Sequence, residues 1–374
     1  MPSLSLSRFL PVPATRRLAG AVLTLAANLL FARLFNRASP RGPLFVTWSL
    51  TYDCNAFCGF CATHKLHKEH PGTLDLERAL AIADEIADCG SWVTGFTGGE
   101  VLLSPLLFPL VRRLKARGVL TYLVTNGLLL AERAQEIVAS GVDYVVVSLD
   151  SDDADQHDAM RHSPGLMAKA LNGIEVLKSL RKNGRPLIKA SAIVGAHNLF
   201  RFERVVDFLA RHADTVSAQP IVWGYKDHPH AIEQERVGGL FFPPDRRDDV
   251  ERQFQSLAKR HPMFRSSYFR RMPLYWFKPE SLIDTIPCWS PFLRLTIGPD
   301  GGVTQCSNRF GPVGDLTKEG LMSIWNGLEM RRQREVVRRR QNKCICWSQD
   351  TAFNDLMERL KLPNLLPVWW KFKG

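Results

Sequence analysis

Six times between Pro43 and about Gly224, a short run of β-branched and aromatic residues gives way to a segment with helical spacing. The runs are Leu44–Leu50, Trp92–Phe96, Thr121–Val124, Tyr144–Ser148, Leu187–Ile193 and Val216–Val222. Short apolar runs of this kind read as strands buried in a sheet. Between them, Leu76, Leu80, Ala83 and Ala87 share one helical face, as do Leu106, Leu110 and Leu114, and Leu171, Ile174 and Leu177. Strands joined through helices pair in parallel, by right-handed crossovers. The expected fold is therefore α/β: a parallel sheet curved into a partial (βα)6 barrel of the TIM type. In such sheets the chemistry gathers at the C-terminal ends of the strands.

The chain has 374 residues, enough for a substantial core, and at 45% hydrophobic and 23% charged it is neither disordered nor collagenous. Eight cysteines are too sparse for a disulfide framework. Their grouping says more. Cys54, Cys58 and Cys61 form one cluster, Cys288, Cys306, Cys344 and Cys346 lie towards the other end, and Cys89 stands alone. Grouped cysteines in an enzyme-sized chain point to metal or cluster ligands in a reducing, cytoplasmic setting. Cys89 reads as a buried structural thiol. The net charge of +12 fits a nucleic acid, a membrane surface or an anionic substrate without choosing among them. The densest basic run, Arg331 to Arg340, has helical spacing and reads as a solvated helix face.

Directly after the first strand run comes Cys54-Asn-Ala-Phe-Cys58-Gly-Phe-Cys61. Three thiolates in one loop can hold three irons of a 4Fe–4S cluster and leave the fourth iron open to a small molecule. With His64 as a fourth ligand, the same loop can instead make a Cys3His zinc site.

The loop resembles the cluster motif of the radical SAM family, including an aromatic residue, Phe60, just before the third cysteine. The likeness continues along the strand ends. Thr97-Gly98-Gly99-Glu100 is similar to the family's Gly-Gly-Glu motif. Thr125-Asn126-Gly127 and Ser148-Leu149-Asp150 resemble the family at strands three and four. His157-Asp158 followed by Arg161 resembles a pattern in which the Arg meets the cofactor carboxylate, and Asn198 stands just past strand five. The resemblance implies a 4Fe–4S cluster on Cys54, Cys58 and Cys61, whose open iron chelates S-adenosylmethionine. It implies reductive cleavage to a 5′-deoxyadenosyl radical that abstracts hydrogen from a substrate, with electrons from a reductant such as flavodoxin or ferredoxin. The cofactor contacts it implies are Phe60, Gly98, Gly99, Glu100, Ser148, Asp150 and Arg161. Plainer readings stand beside these. The glycines suit a tight turn, Ser148 and Asp150 a strand end and helix cap, Arg161 an ion pair, and His64, His67 and His70 a solvated loop. No residue is elected as catalytic acid or base; Asp150 and Asp300 are acidic, but their spacing singles out neither.

Towards the C-terminus, Cys288 precedes Leu293–Cys306, where Pro299-Asp300-Gly301-Gly302 reads as a hairpin turn that returns Cys306 towards Cys288. Leu321-Met-Ser-Ile-Trp-Asn326, the basic helix and Cys344-Ile-Cys346 follow. This resembles the twitch or SPASM extension of radical SAM enzymes, which implies an auxiliary Fe–S cluster. Four cysteines allow one such cluster, which favours the shorter twitch form. The last pair is Cys-x-Cys, so either both thiols ligate or one is spare and leaves an iron open. A structural zinc site is the alternative for this module.

The expected division is an apolar N-terminal helix in 1–42, the radical SAM barrel in 43–224, a bridge in 225–287, the small α+β cluster module in 288–350 and a tail in 351–374. Leu18–Ala32 is apolar apart from Thr24 and Asn28, too short to span a bilayer. It reads either as a helix packed on the domain or as one lying on the inner membrane surface, where the Trp-Lys tail Leu366–Lys373 would also sit. The substrate expected is a peptide or small molecule, with a lipid-linked compound as the alternative. The contrasting class is a zinc protein binding nucleic acid, for which the usual RNA-module motifs are missing, so no nucleic-acid partner is expected.

Overall fold

The computed structural model describes residues 23–28, 41–69, 72–221, 238–283, 288–306 and 310–342. His70, Cys344, Cys346 and the Trp-Lys tail lie outside the described residues, and nothing is described of the His64 side chain. All six expected strands form: β1 (Phe45–Thr51), β2 (Val93–Gly98), β3 (Leu120–Thr125), β4 (Tyr144–Ser148), β5 (Leu187–Val194) and β6 (Thr215–Pro220). They lie in sequence order, each parallel to the next, with helices between. The fold is the expected α/β sheet, open at its edges rather than closed into a full barrel.

The chain after Cys288 extends this same sheet. β7 (Arg294–Ile297) pairs parallel with the far side of β1, and β8 (Gly302–Thr304) and β9 (Pro312–Asp315) continue antiparallel. The hairpin turn forms as expected at Pro299–Gly302: Gly301 has φ +89, a left-handed value suited to glycine, and the Asp300 carboxylate accepts from Gly302 N at 3.0 Å. Thus the cluster module shares its backbone ladder with the barrel.

The sheet's two faces differ. Side chains alternate along a strand, and partners in register point the same way. Val46, Trp48, Leu50, Leu123, Ile188 and Ala190 form one face, buried within the main core under the helices. The other face is half-exposed, and its side chains fill one another's gaps: a Cβ on Gly95 would lie 1.9 Å from Cζ of Tyr122, its partner in register.

The helix Leu76–Asp88 corrects the expected face. Its buried residues are Ala79, Ile82, Ala83 and Ile86, whereas Leu76 is exposed and Leu80 and Ala87 are only half-buried. Leu76 opens the helix beyond its N-cap Asp75, where the first turn projects past the sheet. Leu110 and Leu114, and Ile174 and Leu177, are buried as expected. In the bridge, the helix Arg247–Arg260 and the helix Met272–Phe277 pack an aromatic cluster of Phe254, Phe264, Phe269 and Trp276 onto Phe202 of the barrel.

At the N-terminal end, residues 23–28 are helical. Thr24 Oγ1 donates to Gly90 O at 3.4 Å and Asn28 Nδ2 to Gly42 O at 3.0 Å. These two polar residues therefore dock residues 23–28 on the domain. No helix among the described residues is long and apolar enough to cross a membrane. Cys89, as expected, is a buried thiol, donating to Ile86 O at 3.2 Å. The basic helix Leu328–Arg338 carries ion pairs from Arg332 to Glu329 and from Arg338 to Glu335, the solvated face expected. Arg334 is the exception and is fully buried.

Candidate active site at the strand ends

The cysteine loop begins where β1 ends, and β2 clamps it. Gly99 N donates to Thr51 O at 2.7 Å and Glu100 N to Asp53 O at 2.8 Å. A Cβ on Gly98, whose φ is +129, would lie 2.1 Å from Thr51 O; one on Gly99 would lie 1.9 Å from Asp53 O. The two glycines thus bring the second strand end against the backbone that carries the cysteines.

Glu100 is fully buried, and both its oxygens are engaged by the protein. Oε1 accepts from Leu102 N at 3.1 Å and Thr125 Oγ1 at 2.8 Å, and Oε2 accepts from Asn126 N at 2.8 Å. Burial raises its pKa against the opposing pull of these hydrogen bonds. Glu100 therefore ties the second strand end to the third. Asn126 passes the tie on to the cysteine loop, donating to Asn55 Oδ1 at 2.8 Å and lying 3.9 Å from Cys54 Sγ.

The fourth and fifth strand ends converge through Asp150, which is fully buried. Its Oδ2 accepts from Arg161 Nε at 2.7 Å and its Oδ1 from Ile193 N at 2.8 Å. Asn198 Nδ2 donates to Asp150 O at 2.8 Å and to Ile193 O at 2.7 Å. Burial pushes the Asp150 carboxyl up, but the charge of Arg161 and the hydrogen bonds from Arg161 and Ile193 N outweigh it and hold the pKa low. Arg161 is buried too; the opposing pull of Asp150 and Cys58 keeps it charged. Its Nη1 lies 3.9 Å from Cys58 Sγ, and its guanidinium sits over the Phe60 ring at 5.5 Å. His157 accepts from Asp150 N through Nδ1 at 3.2 Å, and burial lowers its pKa to about 4, so the ring is neutral. Ser148 ends β4 half-buried on the open face, in register with Ser191.

The cysteines themselves sit in a small apolar pocket with Ala56, Leu128 and Leu166. Burial pushes the Cys58 thiol up to about 11, while Arg161 pulls it down. Cys61 Sγ lies 2.9 Å from Thr63 Oγ1. The three thiols couple electrostatically and none is in a disulfide. Three cysteine thiols from one short loop, set among apolar residues, are a donor set that fits three irons of a 4Fe–4S cluster. His67 is turned aside to Asp53 Oδ1 at 3.1 Å.

In the C-terminal half, Ser290 Oγ donates to Gln305 O at 3.1 Å and so joins the residues beside Cys288 and Cys306. Sequence reasoning missed the groups buried around this junction. Among the described residues, both amide atoms of Gln305 lack a partner, as do Nη1 and Nη2 of Arg334, whose Nε donates to Pro291 O at 2.9 Å. The Arg334 guanidinium also lies over Trp325 at 4.5 Å, and burial lowers its pKa to about 9. Asp300 serves its turn and, after burial, helps to raise Tyr52 to about 12.

A parallel open sheet with three cysteines in its first loop, its second and third strand ends tied by Glu100 and its fourth and fifth by Asp150, is an architecture suited to a cluster-dependent enzyme. Residues 48–209 match the model of the Radical SAM superfamily, and residues 288–348 match that of an iron–sulfur cluster-binding domain, SPASM. The chain thus carries a radical SAM domain, which implies a 4Fe–4S cluster and S-adenosylmethionine, and a SPASM domain, which implies auxiliary Fe–S clusters.

Among similar proteins is the AdoMet-dependent heme synthase of Methanosarcina barkeri, 34% identical over 142 residues, which cover 38% of this chain and 41% of that protein. The counterpart from Nitratidesulfovibrio vulgaris is 31% identical over 134 residues, 36% of each chain. The chain thus matches less than half the length of these relatives. Among solved structures, Streptococcus suis SuiB bound to S-adenosylmethionine aligns with a TM-score of 0.59 at 13% identity, over 78% of this chain and 67% of that one. The anSMEcpe enzyme with bound AdoMet and a peptide aligns with a TM-score of 0.58 at 13% identity, over 87% and 99%. At such identities the likeness is one of fold.

Proposed function

We propose that this protein reductively cleaves S-adenosylmethionine and uses the product to abstract hydrogen from a substrate held over the open face of the sheet. The observation that carries the reading is the arrangement of Cys54, Cys58 and Cys61 in an apolar pocket, with the buried Arg161 guanidinium at 3.9 Å from Cys58 and held by Asp150. A 4Fe–4S cluster bound there would supply the electron for reductive cleavage of the sulfonium. Cys54, Cys58 and Cys61 hold it. Arg161, fixed by Asp150, offers a positive charge to the anionic cluster or to the carboxylate of S-adenosylmethionine. Glu100 spends its carboxylate on shaping the loop, which leaves backbone groups at Gly98 and Gly99 to meet the cofactor's ammonium. Phe60 packs beneath Arg161, and Ser148 opens towards the substrate side. Cys288 and Cys306, with one or both of Cys344 and Cys346, hold the auxiliary cluster, and a cytoplasmic flavodoxin or ferredoxin supplies the reducing equivalents.

Peptide modification is supported by the fold shared with SuiB and anSMEcpe, structures that contain peptides. A second reading, a small molecule of the kind heme synthases act on, is favoured by the higher identity of those relatives. Anaerobically reconstituted protein is expected to be brown and to release 5′-deoxyadenosine with dithionite. Colourless, zinc-loaded protein that leaves S-adenosylmethionine intact would refute the reading. Comparing peptides and metabolites from cells carrying wild-type or Cys58→Ala protein distinguishes the two substrates.

A further inference from the structure

Lys189 stands on β5, between Val146 of β4 and Thr215 of β6. Register carries its face across the sheet to Tyr122, Gly95 and Thr47, so Lys189 belongs to the half-exposed side rather than to the core. No residue of β1 to β6 on this side is acidic, and Asp315, at the far edge on β9, is already paired with Lys318; the second cation of this side is Arg294 on β7, which donates to Thr47 Oγ1 at 2.8 Å. The nearby carboxylates at the strand ends are already engaged, Glu100 by three donors and Asp150 by Arg161 and Ile193 N. Among the described residues, Lys189 has neither an ion pair nor a hydrogen-bond partner for its side chain. An ammonium half-withdrawn from water without a partner is costly, and an anion on the open face would offset that cost.

We infer that the open face of the sheet holds an anion subsite, in which Lys189 meets a carboxylate or phosphate of the substrate; this rests on the reading of that face as the substrate chamber. The site is cationic before anything binds, so an anionic substrate is also drawn to the face that carries the strand-end chemistry. Burial lowers the pKa of Lys189, which makes the amine more reactive than that of a surface lysine.

Acetylation of the full-length, cluster-loaded protein near neutral pH, read by peptide mass spectrometry, tests this on the wild-type chain. Lys189 is expected to label ahead of Lys318, whose pKa is raised by Asp315. Inorganic phosphate and succinate, added separately at about twice their dissociation constants, are each a probe of one anion class. Protection of Lys189 by about threefold, with Lys318 unchanged, supports the subsite, and the anion that protects assigns phosphate or carboxylate. Labelling that neither anion slows overturns it, as does a Lys189 that never labels while Lys318 does. Release of 5′-deoxyadenosine by the same preparation reports separately on the cofactor reading, so the two can fail independently.

Discussion

The two cysteine regions of this molecule treat buried charge in opposite ways. At the strand ends, each buried ionic group has its partner within the chain: Arg161 has Asp150, and Glu100 has three donors. In the C-terminal half, Arg334 is as deeply buried, yet among the described residues two of its nitrogens have no hydrogen-bond partner, and the Gln305 amide has none. The first region is a preorganised frame, with geometry set before any cofactor arrives. The second is satisfied only in part by the residues described. A buried pair contributes little net stability while intact, but an unmatched buried ion is a standing cost.

The largest test of this contrast removes one proposed cluster ligand from each region. Cys58→Ala is expected to abolish 5′-deoxyadenosine release while keeping the C-terminal iron. Cys288→Ala is expected to lose the auxiliary iron and keep the strand-end cluster. Iron content and cluster absorbance check both, and loss of all iron in either variant would break the division. Next, Asp150→Asn strands the Arg161 charge and should cost about 3–5 kcal/mol in urea unfolding of the metal-free protein. A cost below about 1 kcal/mol would mean the frame is not built on that pair.

The pH response sharpens the point. His157 is a base whose folded pKa is lowered to about 4, by burial first of all. Between pH 6.5 and 4 the unfolded chain takes up a proton that the folded chain does not. Stability should therefore fall by about 3 kcal/mol as pH drops through that window, and His157→Gln should flatten the slope. Unfolding midpoints measured across the window decide it. The smallest effect expected is the reverse of the Asp150 result: Arg334→Met should raise the stability of the metal-free protein by about 1 kcal/mol. A loss of about 3 kcal/mol instead would give Arg334 a partner in the C-terminal residues and dissolve the contrast.

Much of the frame was legible beforehand. The six strand runs stand within a few residues of β1 to β6, because short apolar runs separated by helical spacing are a local signal. The cysteine loop, the Gly-Gly-Glu turn and the Asp150 turn fall at strand ends, where a parallel sheet must put them. The inward face of the helix Leu76–Asp88 was misread by a few residues, since spacing alone gives a helix but not its rotation against the sheet. Lys189 and Arg334 went unnoticed, one inside an apolar run and the other inside a basic one, where neighbouring residues mask a single exception.

By itself, then, the amino-acid order determined the layered α/β plan, the order of the loops along one edge and the grouping of three thiols in the first of them. These follow from residue periods and motif spacing, which are properties of neighbouring positions. Only tertiary structure decided that Glu100 clamps rather than reaches, that Arg161 leans on Asp150 beside Cys58, and that β7 joins β1. Each of those outcomes joins residues far apart in the chain, and a hydrogen bond a few ångströms long is chosen by how the layers pack, which no local spacing records.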